Sequence, residues 1–221
     1  SVYALIVSDL QYAETNLPDK QSIAGRPTKW SAKTVLADVY LQLKRFADAA
    51  DEGEQVIQSN KYSLVPISST NDLQKIFGTA AGITSEEIFY IECSNQTGFS
   101  NIWPMYINHP GTKLLGQGGY FGFYTDSSNL VYKNWDNNDF RKGLWYFWNF
   151  GLGKSTLLNK KFIDPTTVSN AGNSTTWYRY ADLLLIYAEA ACRANNGPTA
   201  DAMEALNQVH RRAYGKNPKL P

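Results

Sequence analysis

Two stripes of apolar residues at helical spacing, separated by a very short break, constrain this chain more than anything else in it. Between Gly25 and Val65, Leu36, Val39, Tyr40 and Leu43 recur at intervals of three and four; after the break Phe46, Ala49, Ala50, Gly53, Val56 and Ile57 do the same. A connection that short joins helices that run antiparallel, so the segment predicts a helical hairpin. Pro27 and Thr28 suit the start of the first helix, Lys44 and Arg45 its negative end, and Ser59-Asn60 the end of the second.

Small Ala37 and Ala49, with Tyr40 between them, fall at the spacings of a tetratricopeptide hairpin, where alanines let the backbones approach and the tyrosine fills the groove. A second hairpin is written near the end. Leu184, Tyr187, Ala188 and Ala191 form one stripe, Ala202, Met203, Leu206, Val209 and Ala213 the other, and Asn195-Asn196-Gly197-Pro198 stops the first and opens the second. The first sixteen residues add a helix through Tyr3, Ile6, Leu10, Ala13 and Leu17, read as already in progress with no capping residue ahead of it. The expected fold is mainly α: tetratricopeptide-like helical hairpins over about 1–65 and 176–214, with long irregular loops and a few short strands in one domain fragment spanning 1–221.

Between the hairpins the texture changes. Asp72 to Phe77 reads as a short helix closed by Gly78, and Glu87 to Cys93 as a buried strand. An irregular, aromatic-rich insertion then fills about 94–170. From Phe99 to Phe150 lie 15 of the chain's 30 aromatic rings, interleaved with Gly116, Gly118, Gly119, Gly122 and many asparagines. Long loops that persist inside a helical frame are usually functional.

Charge narrows the function. Lys and Arg total 21 against 20 Asp and Glu, a net charge of +1 with no basic stripe, which disfavours nucleic acid and anionic lipid as partners. Cys93 and Cys192 match no zinc spacing and read as apolar packing, although one bridge between them is allowed. His109 and His210 have no carboxylate or thiol at ligand spacing, so neither a metal nor a Ser-His-Asp arrangement is indicated, and no cofactor is called for. GLGKST (151–156) imitates the end of a phosphate-binding loop, but Trp148 stands where its first glycine is required.

Taken in order, SDLQYAETNLP (8–18), the 25–65 hairpin, DLQKIFG (72–78), SEEIFYIE (85–92), NLVYKNWDNNDFRK (129–142), KKFID (160–164), YRYADLLLIYAEA (178–190) and LNQVHRRA (206–213) resemble the SusD/RagB family across nearly the whole chain. That resemblance implies a non-catalytic glycan-binding lipoprotein, surface-exposed on the outer membrane of Bacteroidetes, that acts as a lid on a SusC-like TonB-dependent transporter. It also implies that the membrane is reached only through a lipid anchor, which this chain lacks, and that family segments are missing at both ends. His210 departs from the family, which commonly has arginine there.

A neutral glycan needs flat aromatic platforms flanked by amides or hydroxyls, because sugars present apolar C–H faces and equatorial hydroxyls. Trp103 and Tyr106 with Asn101 and Asn108, then Tyr120, Phe123 and Tyr124 in a glycine-rich run, meet that specification and are the expected glycan-binding residues. Trp135, Trp145 and Trp148 are weaker candidates, since WYFWNF reads equally as a strand or satellite core. The competing reading is a helical-repeat scaffold that binds only protein, with these rings as internal packing. Asp139-Phe140-Arg141 is expected to form a structural ion pair pinning the preceding helix, ahead of a calcium site built from Asp136, Asn137, Asn138 and Asp139. Arg179, Asp182 and Glu189 read as helix-docking partners. Glu86, Glu87, Asp136 and Asp139 are the carboxylates from which a hydrolytic pair would have to come.

Overall fold

Thr28 opens the helical frame with a reciprocal cap. Its Oγ1 accepts the Ser31 N–H (3.3 Å) while Ser31 Oγ accepts the Thr28 N–H (3.2 Å), fixing the start of α2 (Lys29–Gln42). The computed structural model describes residues 1–79, 83–95, 100–116, 118–119, 125–149, 151, 156–167 and 171–219. Lys44, in the left-handed conformation at φ 60°, turns the chain from α2 into α3 (Phe46–Gln58), and Asn60 at φ 54° ends α3. The predicted hairpin is present with both its boundaries.

The second hairpin pairs α6 (Tyr180–Ala194) with α7 (Ala200–Ala213); Asn196 turns at φ 53° and Thr199 Oγ1 caps α7 by accepting the Ala202 N–H (3.1 Å). One face of α7 differs from the reading above. Ala202, Ala205, Val209, Arg212 and Ala213 are buried, whereas Met203 and Leu206 are exposed. The larger side chains lie about 100° around the helix from the small ones that allow close approach to α6. The opening helix α1 (Val2–Asn16) does have a cap, because Ser1 Oγ accepts the Ala4 N–H (3.3 Å). Val7 and Leu10 of α1 pack on Leu36, Tyr40, Ala49 and Ala190, while Tyr3 is exposed.

The main core joins Val56 of α3, Leu183, Leu184 and Tyr187 of α6, and Val209 of α7. Backbones come close here. A Cβ at Gly53 would lie 3.2 Å from the Tyr187 Cβ, so this helix position has room for little more than hydrogen. No described helix is long and apolar enough to cross a membrane.

Short strands tie the irregular part to this frame. β1 (Glu87–Ile91) pairs antiparallel with β5 (Thr175–Arg179), shorter and less buried than the 87–93 segment expected, with Ile91 exposed. A three-stranded sheet of order β2-β4-β3 joins β2 (Thr125–Asp126), β4 (Thr156–Asn159) and β3 (Trp145–Phe147). Before β1, a 3₁₀ turn over Thr70–Leu73 runs into α4 (Gln74–Phe77), closed by Gly78; α5 (Leu130–Asn134) lies between β2 and β3. Helical pairs with long loops and few strands are therefore the observed architecture.

An ionic junction that no local pattern announces locks the two parts together. Glu86, fully buried, accepts from Arg179 Nη1 (2.9 Å), Arg212 Nη1 (2.6 Å) and the Val65 N–H (2.8 Å). Burial drives the Arg212 guanidinium below its ordinary value, and Glu86 opposes that drift. Arg179 is thus a docking residue as expected, and the Asp182 carboxylate caps α6 by accepting the Arg179 N–H (2.8 Å). Glu189 makes an exposed pair with Arg193 one turn along the same helix instead.

Candidate functional site

The first half of the aromatic segment is organised by a 3₁₀ turn over Trp103–Ile107 with Pro104 in its opening turn. Three residues per turn put positions i and i+3 on one face. Pro104 and Met105 point inward and are buried, while Trp103 (64% exposed) and Tyr106 (37% exposed) face out, with ring centroids 6.1 Å apart and planes at 48°. The two rings form an open, angled ledge.

Polar residues around the turn hold it from beneath. Asn101 exchanges backbone hydrogen bonds with Ala171 (2.7 and 3.1 Å), donates from Nδ2 to the Asn173 carbonyl (3.0 Å) and accepts the Trp103 N–H on Oδ1 (3.0 Å). Asn108 is fully buried and accepts the Tyr146 hydroxyl hydrogen on Oδ1 (2.8 Å). Burial pushes that phenol up to about 12. Neither asparagine offers its amide to the surface, so the flanking-amide geometry expected at 101 and 108 is replaced by internal bracing. Tyr120, Phe123 and Tyr124 lie outside the described residues, as does most of 151–156.

The floor of the ledge is fastened by Asp164. Its carboxylate accepts the Gly172 N–H (2.8 Å), the Thr166 and Thr167 hydroxyls (2.7 and 3.0 Å) and Asn95 Nδ2 (3.1 Å). Burial alone would raise this carboxyl; the Gly172 amide and the two hydroxyls outweigh it and hold it below the ordinary range. Gly116, at φ +56°, sits against this loop so closely that a Cβ would fall 2.1 Å from the Thr167 carbonyl oxygen.

A second aromatic feature occupies the opposite side of β3. Strand alternation sends Tyr146 toward Asn108 and Trp145 the other way, where it joins Val131, Tyr132, Trp135, Thr125 and Asn129 around a mainly apolar hollow of about 160 Å³. Trp148 is half-buried beside Gly111. Below the hollow, Asp139 is buried and held by Arg141 Nε (2.9 Å) and Nη2 (2.5 Å) and by Trp135 Nε1 (2.9 Å). The pair pins Trp135, the residue that ends α5, as the sequence predicts.

The carboxylates singled out for hydrolysis have other engagements. Glu86 is bound by two arginines, Glu87 accepts the Thr84 N–H (2.7 Å) and hydroxyl (2.5 Å), and Asp136 accepts from the Asn138 N–H (2.9 Å) and the Tyr214 hydroxyl (3.0 Å). Both cysteines are free thiols.

Comparison with known proteins is consistent with this arrangement. The sequence model of the SusD family matches residues 117–219. Nearly half of the chain is thus similar in sequence to the SusD family. SusD-like protein P2 of Formosa agariphila is 29% identical over 242 residues, a match covering 96% of this chain and 46% of that protein. A SusD superfamily protein from Bacteroides vulgatus superposes with a TM-score of 0.76 at 23% identity, over 96% of this chain and 46% of the other. Surface glycan-binding protein A from Bacteroides fluxus gives 0.75 at 22% identity, over 98% and 52%. The SusD fold thus extends beyond the matched segment to the helical pairs. The chain spans about half the length of the relatives it matches.

Proposed function

We propose that this chain is the glycan-contacting part of a non-catalytic SusD-like protein, and that Trp103 and Tyr106 are the rings on which the saccharide lies. The observation that carries this reading is the ledge itself: two exposed rings on one face of a turn whose other face is buried. Such rings accept the apolar face of a pyranose with little reorganisation, because their backbone is already fixed. Tyr120, Phe123 and Tyr124 extend the proposed surface in sequence; Asn101 and Asn108 support it from below. The glycan-binding name of the structural neighbour from B. fluxus favours the same reading. Exposure of Trp103 and Tyr106 runs against the alternative in which the aromatic segment is sealed as core of a protein-binding scaffold.

In the whole protein this capture would take place at the cell surface, in the outer membrane, with the saccharide handed to a SusC-like TonB-dependent transporter. Tryptophan fluorescence titrated with a panel of oligosaccharides tests the binding step. A response in the wild-type chain that disappears in Trp103→Ala and in Tyr106→Ala supports it; a response untouched by both substitutions refutes it. Co-purification of the full-length protein with an outer-membrane transporter from its native cells tests the second step.

A further inference from the structure

A larger recess lies away from the ledge, where the 17–28 connection between α1 and α2 folds over β1. It encloses about 470 Å³, within the range of about 300–1,000 Å³ usual for small-molecule sites, and shares no lining residue with the aromatic surfaces above. Tyr62 and Tyr90, both half-buried, form part of its wall, and the Tyr90 hydroxyl accepts the Gly25 N–H (3.0 Å), which holds the connection in place.

Its charge is uneven. Asp19 is committed to Lys29 (2.9 Å) and to Lys61, which together draw its carboxyl down to about 2, with the Lys61 hydrogen bond the larger cause. Glu87 spends one carboxylate oxygen on Thr84. Against these two carboxylates the lining sets three cations, Lys20, Arg26 and Lys61, and two of them, Lys20 and Arg26, form no ion pair with any described residue. A surplus of positive charge in a partly walled recess focuses potential on its interior and raises the local concentration of anions. Aromatic walls and the Ser22 hydroxyl suit a polyol better than an apolar anion.

We infer that this recess is a second saccharide site, selective for sugars that carry carboxylates, with Lys20 and Arg26 binding the acid group. It does not depend on the ledge. Isothermal titration of the full 221-residue chain with trigalacturonic acid, maltotriose and sodium sulfate tests it.

Binding of trigalacturonic acid that weakens about tenfold in Lys20→Ala/Arg26→Ala, weakens as salt rises, and persists in Trp103→Ala/Tyr106→Ala is the expected result. Absence of binding, equal affinity for maltotriose, displacement by sulfate at equal concentration, or indifference to the Lys20/Arg26 substitutions would each overturn it. Loss of binding only in Trp103→Ala/Tyr106→Ala would also overturn it, by assigning acidic sugar to the ledge.

Discussion

Arg212, in the last turn of α7, donates a 2.6 Å hydrogen bond to Glu86, a residue 126 positions earlier that is completely buried. Through this one carboxylate the second hairpin, the end of β5 and the segment after α3 share a single ionic junction with Arg179 and the Val65 amide. Removing one partner leaves the other charges buried and uncompensated. Glu86→Gln and Arg212→Met are each expected to cost about 3–5 kcal/mol, read as a lower urea midpoint with an unchanged slope. A loss below about 1 kcal/mol in both would show that water already screens the junction.

Gly53 is a packing position rather than a turn. With only 3.2 Å between its missing Cβ and the Tyr187 Cβ, any larger side chain pushes α3 from α6. Gly53→Val should destabilise by about 1–3 kcal/mol despite valine's loss of less backbone entropy on folding. Thermal unfolding of the variant measures it.

Acid should loosen the turn after α5. Burial works to raise the Asp139 carboxyl, but hydrogen bonds from Arg141 and Trp135 prevail and hold its value in the folded chain below the ordinary 3.8. A depressed folded value means the stabilisation is complete above about pH 5, shrinks as pH falls below the unfolded carboxyl's pKa, and is gone once Asp139 itself takes a proton. Asp139→Asn should therefore lower the melting temperature at pH 7 and cost progressively less as pH falls from 4 to 2. Parallel melting curves at these pH values decide the matter.

The ledge should be separable from stability. Trp103 is mostly exposed whereas Tyr106 is nearly two thirds buried, so Trp103→Ala is expected to change folding free energy by no more than about 0.5–1 kcal/mol and Tyr106→Ala by about 1–2 kcal/mol, each abolishing a saccharide response. Tyr146→Phe should do the reverse. It strips a buried Asn108 oxygen of its donor at a cost of about 1–3 kcal/mol and leaves the exposed rings in place. Urea denaturation and glycan titration on the same three variants give the comparison.

The helical pairs were legible because their information is local. Apolar period, Thr28 as a cap and Lys44 and Asn60 as ends all act within a few residues of the feature they set. Arg141 with Asp139 was readable for the same reason. Glu86 with Arg212 was not: neither residue carries a mark of its partner, and an arginine in the last turn of a helix reads as a dipole partner at the surface. The face of α7 misled because hydrophobicity favours Met203 and Leu206, whereas close helix approach favours Ala202 and Ala205. At the candidate site, Trp103 and Tyr106 were singled out from residue type alone, and both rings are exposed. The inward turn of Asn101 and Asn108 depends on Ala171, Asn173 and Tyr146, which the chain brings back only after tens of residues.

The pitch of the 3₁₀ turn acts as a ruler for the ledge. Each residue of such a turn rotates the chain by about 120°, so the phase between the two rings is counted by the backbone and not set by what surrounds them. Inserting one residue between Trp103 and Tyr106 would keep both side chains yet swing one of them a third of a revolution away, toward the space that Pro104 and Met105 now fill. Homologues that differ in length within this segment would then display a different footprint, even with identical aromatic content.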